Sequence, residues 1–261
     1  MLKKCILDLR VLSNECPHPR YALLRLTTVE GSLPPMVAGQ FAQLRIDGVP
    51  SVFLRRPVSI HFVDPVANEV WFLVQLVGAG TKWLGSLRPG DVLNAVLPLG
   101  RGFTMPDRKD EKILLVGGGV GVAPLLFLGQ SLRGYGVTPT FLLGARTKAD
   151  LLQLRFFERL GPLYLTTEDG SAGEKGFVTQ HSVLREQSFD SIRCCGPRPM
   201  MMAVACYAKG CNIDCEVSLE NLMACGLGAC LCCVEDTQQG NVCVVKCLPS
   251  AESSNLPASV I

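Results

Sequence analysis

The period of the hydrophobic positions changes near residue 110. Before it, short apolar runs are cut by glycine and proline, and they fall at residues 4–12, 21–28, 40–46, 52–62, 70–77 and 92–98. That pattern predicts six short strands. Six strands with no long helix among them predict a small closed antiparallel barrel. Beyond residue 110, apolar strand-like runs at 112–116, 140–145, 163–167, 190–195 and 213–217 alternate with helical stretches. Those stretches run from the first strand to about 133, then over 149–160, 177–186 and 198–208. Such alternation predicts a parallel sheet with helices on both faces, whose ligands bind at the carboxyl ends of the strands. The fold class expected is therefore β followed by α/β, divided into a barrel over 1–105, an α/β domain over 106–215 and a cysteine-rich segment over 216–261.

Length agrees with this division, since 261 residues suffice for two modest cores. A net charge of +2 provides no basic field for nucleic acid. Apolar residues make up 48% of the chain, yet every hydrophobic run is interrupted well short of the roughly 20 residues that span a bilayer, so no membrane segment is expected. Thirteen cysteines would suit a secreted disulfide scaffold, but the N-terminus MLKKCILDLRVL lacks a long apolar core and a small-residue cleavage site. The expected location is a reducing cytoplasm.

The cysteines carry the sharpest chemistry. Cys225, Cys230 and Cys233 form a C-x4-C-x2-C run, followed after a turn-like QQGN by Cys243 and Cys247 in a strand-like VCVVKC segment. This is the spacing of a plant-type [2Fe–2S] loop, with a fourth thiolate from further along the chain. Gly226 and Gly228 suit a loop whose amides fold around sulfides. Cys247 is preferred as the fourth ligand because it leaves the longer connection and stands just before Pro249; Cys243 is its rival. Structural zinc is the competing reading, but only Cys230 and Cys233 have C-x2-C spacing and no histidine is near. Cys232 is out of register. Cys5, Cys16, Cys194, Cys206, Cys211 and Cys215 are expected to pack as small buried hydrophobes.

Two features of the barrel suit an anion. Adjacent Arg55 and Arg56 in an apolar strand are costly unless they meet an anion or solvent. In Val77-Gly78-Ala79-Gly80-Thr81, a strand ends in glycines and Thr81 is expected to open a short helix, whose amides make a phosphate seat. After the first parallel strand comes Gly119-x-Gly121-x-x-Pro124, a departure from G-x-G-x-x-G in which proline suits a helix start. Two later strand ends, Glu168-Asp169 and Cys195-Gly196, fall where a dinucleotide would cross the sheet. A plain strand-to-helix turn explains Glu168 and Asp169 equally well. His18, His61 and His181 are isolated, and no nucleophile or general base is expected.

The order of R-x-x-S, G-x-G-x-x-P, CGPRPM and C-x4-C-x2-C resembles the ferredoxin-reductase superfamily. More narrowly, LRRPVSI, GAGTKWL, VGGGVGVAP, TEDGSAGEKGFVT and SLENLMACGLGACLCCV are similar to the electron-transfer subunits of type B, NAD-linked dihydroorotate dehydrogenases. The resemblance implies that Arg56, Pro57, Val58 and Ser59 hold FAD, with Gly80 and Thr81 on its pyrophosphate. It implies that Cys225, Cys230 and Cys233 hold a [2Fe–2S] cluster; Gly119, Gly121, Pro124, Cys195 and Gly196, from their place at strand ends, are expected to face the NAD. An FMN-containing catalytic subunit, two of each chain, is the implied partner, with exposed apolar residues near Leu227 and Leu231 at the contact. The family's x-x-Gly-Pro-Val-Phe tail is replaced here by LPSAESS after Cys247. A ferredoxin- or sulfide-linked NAD(P)H reductase subunit and a redox-sensing or zinc-stabilised binding module are the alternatives. Arg146, after the second parallel strand, leaves NAD and NADP both open.

Overall fold

A computed structural model describes residues 3–219, 222–237, 240–247 and 251–252, with backbone only at 236–237, 240, 246–247 and 251–252. Strands β1 (Cys5–His18), β2 (Tyr21–Thr28), β3 (Phe41–Leu44), β4 (Arg56–Asp64), β5 (Glu69–Gln75) and β6 (Val92–Leu99) close a barrel in the order β1-β2-β5-β4-β3-β6, all antiparallel. One short helix, α1 (Ala79–Ser86), leaves β5 and packs on the wall. The expected six strands are all present. β1 runs past the expected end at 12 because register shifts after Val11 and Glu15 let it follow β2 for its whole length. β4 starts at Arg56 rather than 52.

The second sheet has the order β10-β9-β8-β7-β11-β12-β15. It comprises β7 (Ile113–Gly118), β8 (Thr140–Ala145), β9 (Leu163–Thr167), β10 (Glu174–Lys175), β11 (Ser191–Cys195), β12 (Asp214–Ser218) and β15 (Ala251–Glu252). All neighbours are parallel except β12 and β15. β7 is central and buried throughout, which explains its unbroken ILLVGG run. Helix α2 (Ala123–Tyr135) packs between this sheet and β4 of the barrel, so the two halves share one apolar cluster running from Leu24 and Phe72 to Leu125 and Phe141. Helix α5 (Arg198–Gly210) covers the other face over Val116, Ile192 and Val217.

Two expected helices are replaced by shorter turns. Over 149–160 the chain forms a 3-10 turn at Lys148–Asp150 and a short α3 (Leu154–Glu158). Gln153 between them has φ +59°, and Asp150 is drawn aside by Thr147 and Arg20. Over 177–186 there is a 3-10 turn at Val178–Gln180 and then α4 (Val183–Glu186). There the Gln180 side-chain oxygen Oε1 accepts the Phe177 N–H at 2.8 Å, and the Glu174 carboxylate accepts the Ser182 N–H at 2.9 Å. Side chains have taken over donors that a continuous helix would use.

The cysteine-rich segment forms a hairpin of β13 (Val234–Thr237) and β14 (Gly240–Cys243), then a helical turn α6 (Val244–Cys247). The expected strand through 247 therefore ends at Cys243. Val244 donates its N–H to the Cys233 carbonyl at 3.0 Å, and Val244 and Val245 turn inward against Phe41 and Leu99 of the barrel. Of the cysteines expected to be buried, Cys194 and Cys215 are; Cys16, Cys206 and Cys211 are exposed and Cys5 is half-buried. Cys206 and Cys211 stand at the outer side and end of α5, away from its buried Met201, Val204, Ala205 and Ala208. Among the described residues, no helix is long and apolar enough to cross a membrane.

Candidate functional site

The two neighbouring arginines have different surroundings. Arg55 gives hydrogen bonds to Asn94 O at 3.0 Å, Asn94 Oδ1 at 2.6 Å and Gln43 O at 3.3 Å, so its guanidinium is tied to the barrel wall. Arg56 bonds only Leu54 O, at 2.9 Å, among the described residues. Its guanidinium lies over the first turn of α1: a methyl group at Gly80 would come within 2.9 Å of Arg56 Nε. The α1 terminus differs from the expectation. Gly78 is the N-cap and Thr81 sits three residues in, where its hydroxyl accepts the N–H groups of Val77 and Gly78 at 3.0 Å each. Glycine, lacking a side-chain acceptor, leaves that role to the threonine below it. An arginine over a bare helix start is a fitting seat for a phosphate.

Beside this seat lies a cavity of about 270 Å³. Pro57, Val58, Ser59 and Thr81 bound it on the barrel side, Val120, Ala123 and Ser218 on the sheet side, and Met223 and Val244 on the side of the cysteine-rich segment. It is largely apolar with a few hydroxyl groups, which suits a planar ring system.

At the carboxyl ends of β7, β8, β9 and β11 a second cavity of about 640 Å³ opens. Gly119, with φ +56°, and Gly121 carry the chain from β7 through a 3-10 turn into α2, with Pro124 in its first turn. Gly121 is required by a close approach, since a methyl there would stand 2.5 Å from the Cys195 carbonyl oxygen and 2.4 Å from Gly196 Cα. The two motifs are thus in contact, although 74 residues lie between Gly121 and Gly196 in a count of numbering. Glu168 lines this cavity beside Arg146 and Phe177. Asp169 does not; bonds from the Ser171 hydroxyl and N–H hold its carboxyl below the usual range and spend it on the turn.

In the cysteine loop, Gly226 and Gly228 have φ +65° and +78°. A side chain at Gly226 would meet Gln43 at 2.8 Å, so the loop lies flush on β3. The Leu227 N–H points at Cys225 Sγ at 3.3 Å, and the N–H groups of Cys230, Leu227 and Ala229 pull the Cys225 thiol down to about 6. That is the arrangement a cluster thiolate needs. Cys233 is buried with its Sγ 3.6 Å from that of Cys243, Cys230 and Cys232 are exposed, and the side chain of Cys247 lies outside the described residues. Among the described residues no three ligating side chains yet converge on one point. The donor set and directed amides fit an iron–sulfur cluster. Leu227 and Leu231 are 42% and 62% exposed.

Several residues of the site carry no local signal in the sequence. Tyr21 and Gln75 line the larger cavity, brought together by barrel register, and Arg20 pairs with Asp150 at its mouth. A buried ion pair joins Arg193 Nε to Glu216 Oε2 at 2.7 Å, and the same carboxylate accepts the Thr104 N–H at 3.1 Å.

No family model matches the chain. A dihydroorotate dehydrogenase B (NAD(+)) electron transfer subunit of Shouchella clausii is 41% identical over 235 residues, 88% of this chain and 88% of that protein. The protein of the same name from Desulforamulus reducens is 38% identical over 212 residues, 79% of this chain and 80% of its own length. Among solved structures, that of an NADH-dependent reduced ferredoxin-NADP oxidoreductase, described in connection with flavin-based electron bifurcation, superposes with a TM-score of 0.85 at 27% identity, covering 94% of this chain and 88% of that one. The ferredoxin reductase of carbazole 1,9a-dioxygenase shares the fold, with a TM-score of 0.68 at 20% identity over 81% of this chain and 67% of that one.

Proposed function

The chain belongs to the family of dihydroorotate dehydrogenase B (NAD(+)) electron transfer subunits, and from that premise we propose that it carries electrons from a dihydroorotate-oxidising partner through a [2Fe–2S] cluster and FAD to NAD+. One observation carries the reading: a single cavity is walled by the R-x-x-S strand, the start of α2 and the cysteine-rich segment together. Nicotinamide exchanges electrons as a hydride pair and an iron–sulfur cluster takes them singly, and a bound flavin supplies the exchange between the two.

The residues of the chain have separable tasks. Arg56 and the amides at the start of α1 hold the flavin pyrophosphate, with Gly80 bare so that the phosphate can approach. Pro57, Val58 and Ser59 line the ring cavity. Gly119, Gly121 and Pro124, with Cys195 and Gly196, shape the nucleotide cavity at the sheet's carboxyl edge. Cys225, Cys230 and Cys233 hold the cluster. Cys247 completes it, in the reading from the sequence, and the nearness of Cys243 to Cys233 supports the rival. The exposed Leu227 and Leu231 meet the partner, an FMN-containing subunit, in an assembly of two of each chain in the cytoplasm.

The test is to express the chain alone and with the FMN subunit, and to measure dihydroorotate-dependent NAD+ reduction. Reduction by the pair and none by either chain alone is the expected result. No activity in a pair that copurifies with its cofactors would sink the proposal.

A further inference from the structure

The ring cavity and the nucleotide cavity share two lining residues, Gln75 and Val120. Val120 offers an isopropyl group. Gln75 offers an amide, which both donates and accepts. It ends β5 directly across the antiparallel ladder from Tyr21, the first residue of β2, so the two side chains share one face. Their contact is slack: Gln75 Nε2 reaches the Tyr21 hydroxyl only at 3.5 Å. Tyr21 is 3% exposed, and its hydroxyl stands 4.0 Å from where a side chain on Gly119 would begin. A polar pair so loosely joined, set between two cavities, has capacity for a third polar group.

Resting on the function proposed above, we infer that Gln75 and Tyr21 are specificity-determining residues that read the carboxamide of the nicotinamide ring where the two cavities meet. A carboxamide presents one acceptor and two donors, and an amide beside a hydroxyl complements it. A phosphate is a poorer match for a neutral amide and hydroxyl; of the two cations near Tyr21, Arg20 is already paired with Asp150, and Arg146 lines the same cavity just past β8. Burial raises the Tyr21 pKa, so its hydroxyl stays protonated and able to donate near neutrality.

The test uses binding rather than turnover. Dissociation constants are measured by calorimetry on the flavin-loaded chain for NAD+, for 3-acetylpyridine adenine dinucleotide, whose acetyl group cannot donate, and for ADP-ribose, which has no pyridine ring. Wild type, Gln75→Leu and Tyr21→Phe are compared. Loss of one hydrogen bond should weaken NAD+ binding about tenfold in Gln75→Leu, with a smaller loss in Tyr21→Phe. The preference of wild type for NAD+ over the acetyl analogue should disappear in Gln75→Leu, while ADP-ribose binds all three alike. The inference is overturned if both variants bind NAD+ as wild type does, or if ADP-ribose affinity falls in parallel, which would mark a merely structural role. Failure of ADP-ribose to bind wild type would instead overturn the nucleotide cavity itself, and this assignment with it.

Discussion

The imidazole Nδ1 of His61 stands 2.8 Å from the carbonyl oxygen of Ala123. This joins β4, two residues beyond Ser59 of the R-x-x-S motif, to the first residue of α2, within the G-x-G-x-x-P motif. His61 is fully buried, and burial lowers its pKa from the ordinary 6.5 to about 4. Nδ1 must then carry the proton and donate, because the partner is a carbonyl.

A pH dependence follows. Between 6.5 and about 4 the unfolded chain binds a proton that the folded chain refuses, so this contribution to stability is complete above 6.5 and erodes as pH falls. The loss should be about 2 kcal/mol by pH 5. Urea unfolding of wild type and His61→Gln at pH 7, 6 and 5 measures it, and the wild type should lose that much more than the variant. Parallel curves would show that the imidazole titrates normally in the fold.

Glu216 is the hub of a second link, between β11, β12 and the Thr104 backbone that follows the barrel. Glu216→Gln leaves the buried Arg193 guanidinium with the exposed Asp214 carboxylate, 3.5 Å from Nη1, as its remaining counter-charge among the described residues, which should cost about 3 kcal/mol. Replacing both partners, as Arg193→Leu with Glu216→Leu, should recover part of that loss. Thermal unfolding of the three proteins reads this directly.

Gly80→Val puts a side chain where Arg56 Nε now lies, at 2.9 Å. The variant should fold but retain FAD with an affinity on the order of tenfold to a hundredfold lower, the weight of a charge-assisted contact. Flavin absorbance per chain after gel filtration, with far-UV circular dichroism as the check on folding, measures this outcome.

Iron and acid-labile sulfide identify the fourth thiolate. Serine at Cys225, Cys230 or Cys233 should abolish both. Cys247→Ser should do the same and Cys243→Ser should retain them; the reverse pair of results moves the ligand to Cys243.

Barrel and sheet were legible in the sequence because their strands are dictated by burial, which leaves a local pattern. β2, β8 and β9 fall where the apolar runs lie. The broken helices were not legible, since Asp150 and Glu174 act through partners at Arg20 and Ser182 that no local window contains. For the site, the motifs marked the glycines, Arg56 and the thiols. Tyr21 and Gln75 went unmarked because only strand register brings a residue from the barrel's start against one from its fifth strand.

Phe41 and Leu99 are barrel residues, yet they are covered by Val244 and Val245 from the far end of the chain. A chain trimmed after β12 would present a raw greasy flank to water and clump. The cysteine-rich segment is accordingly no detachable plug: whatever tears it loose also bares the barrel wall at Phe41 and Leu99, so loss of the segment and aggregation should arrive together.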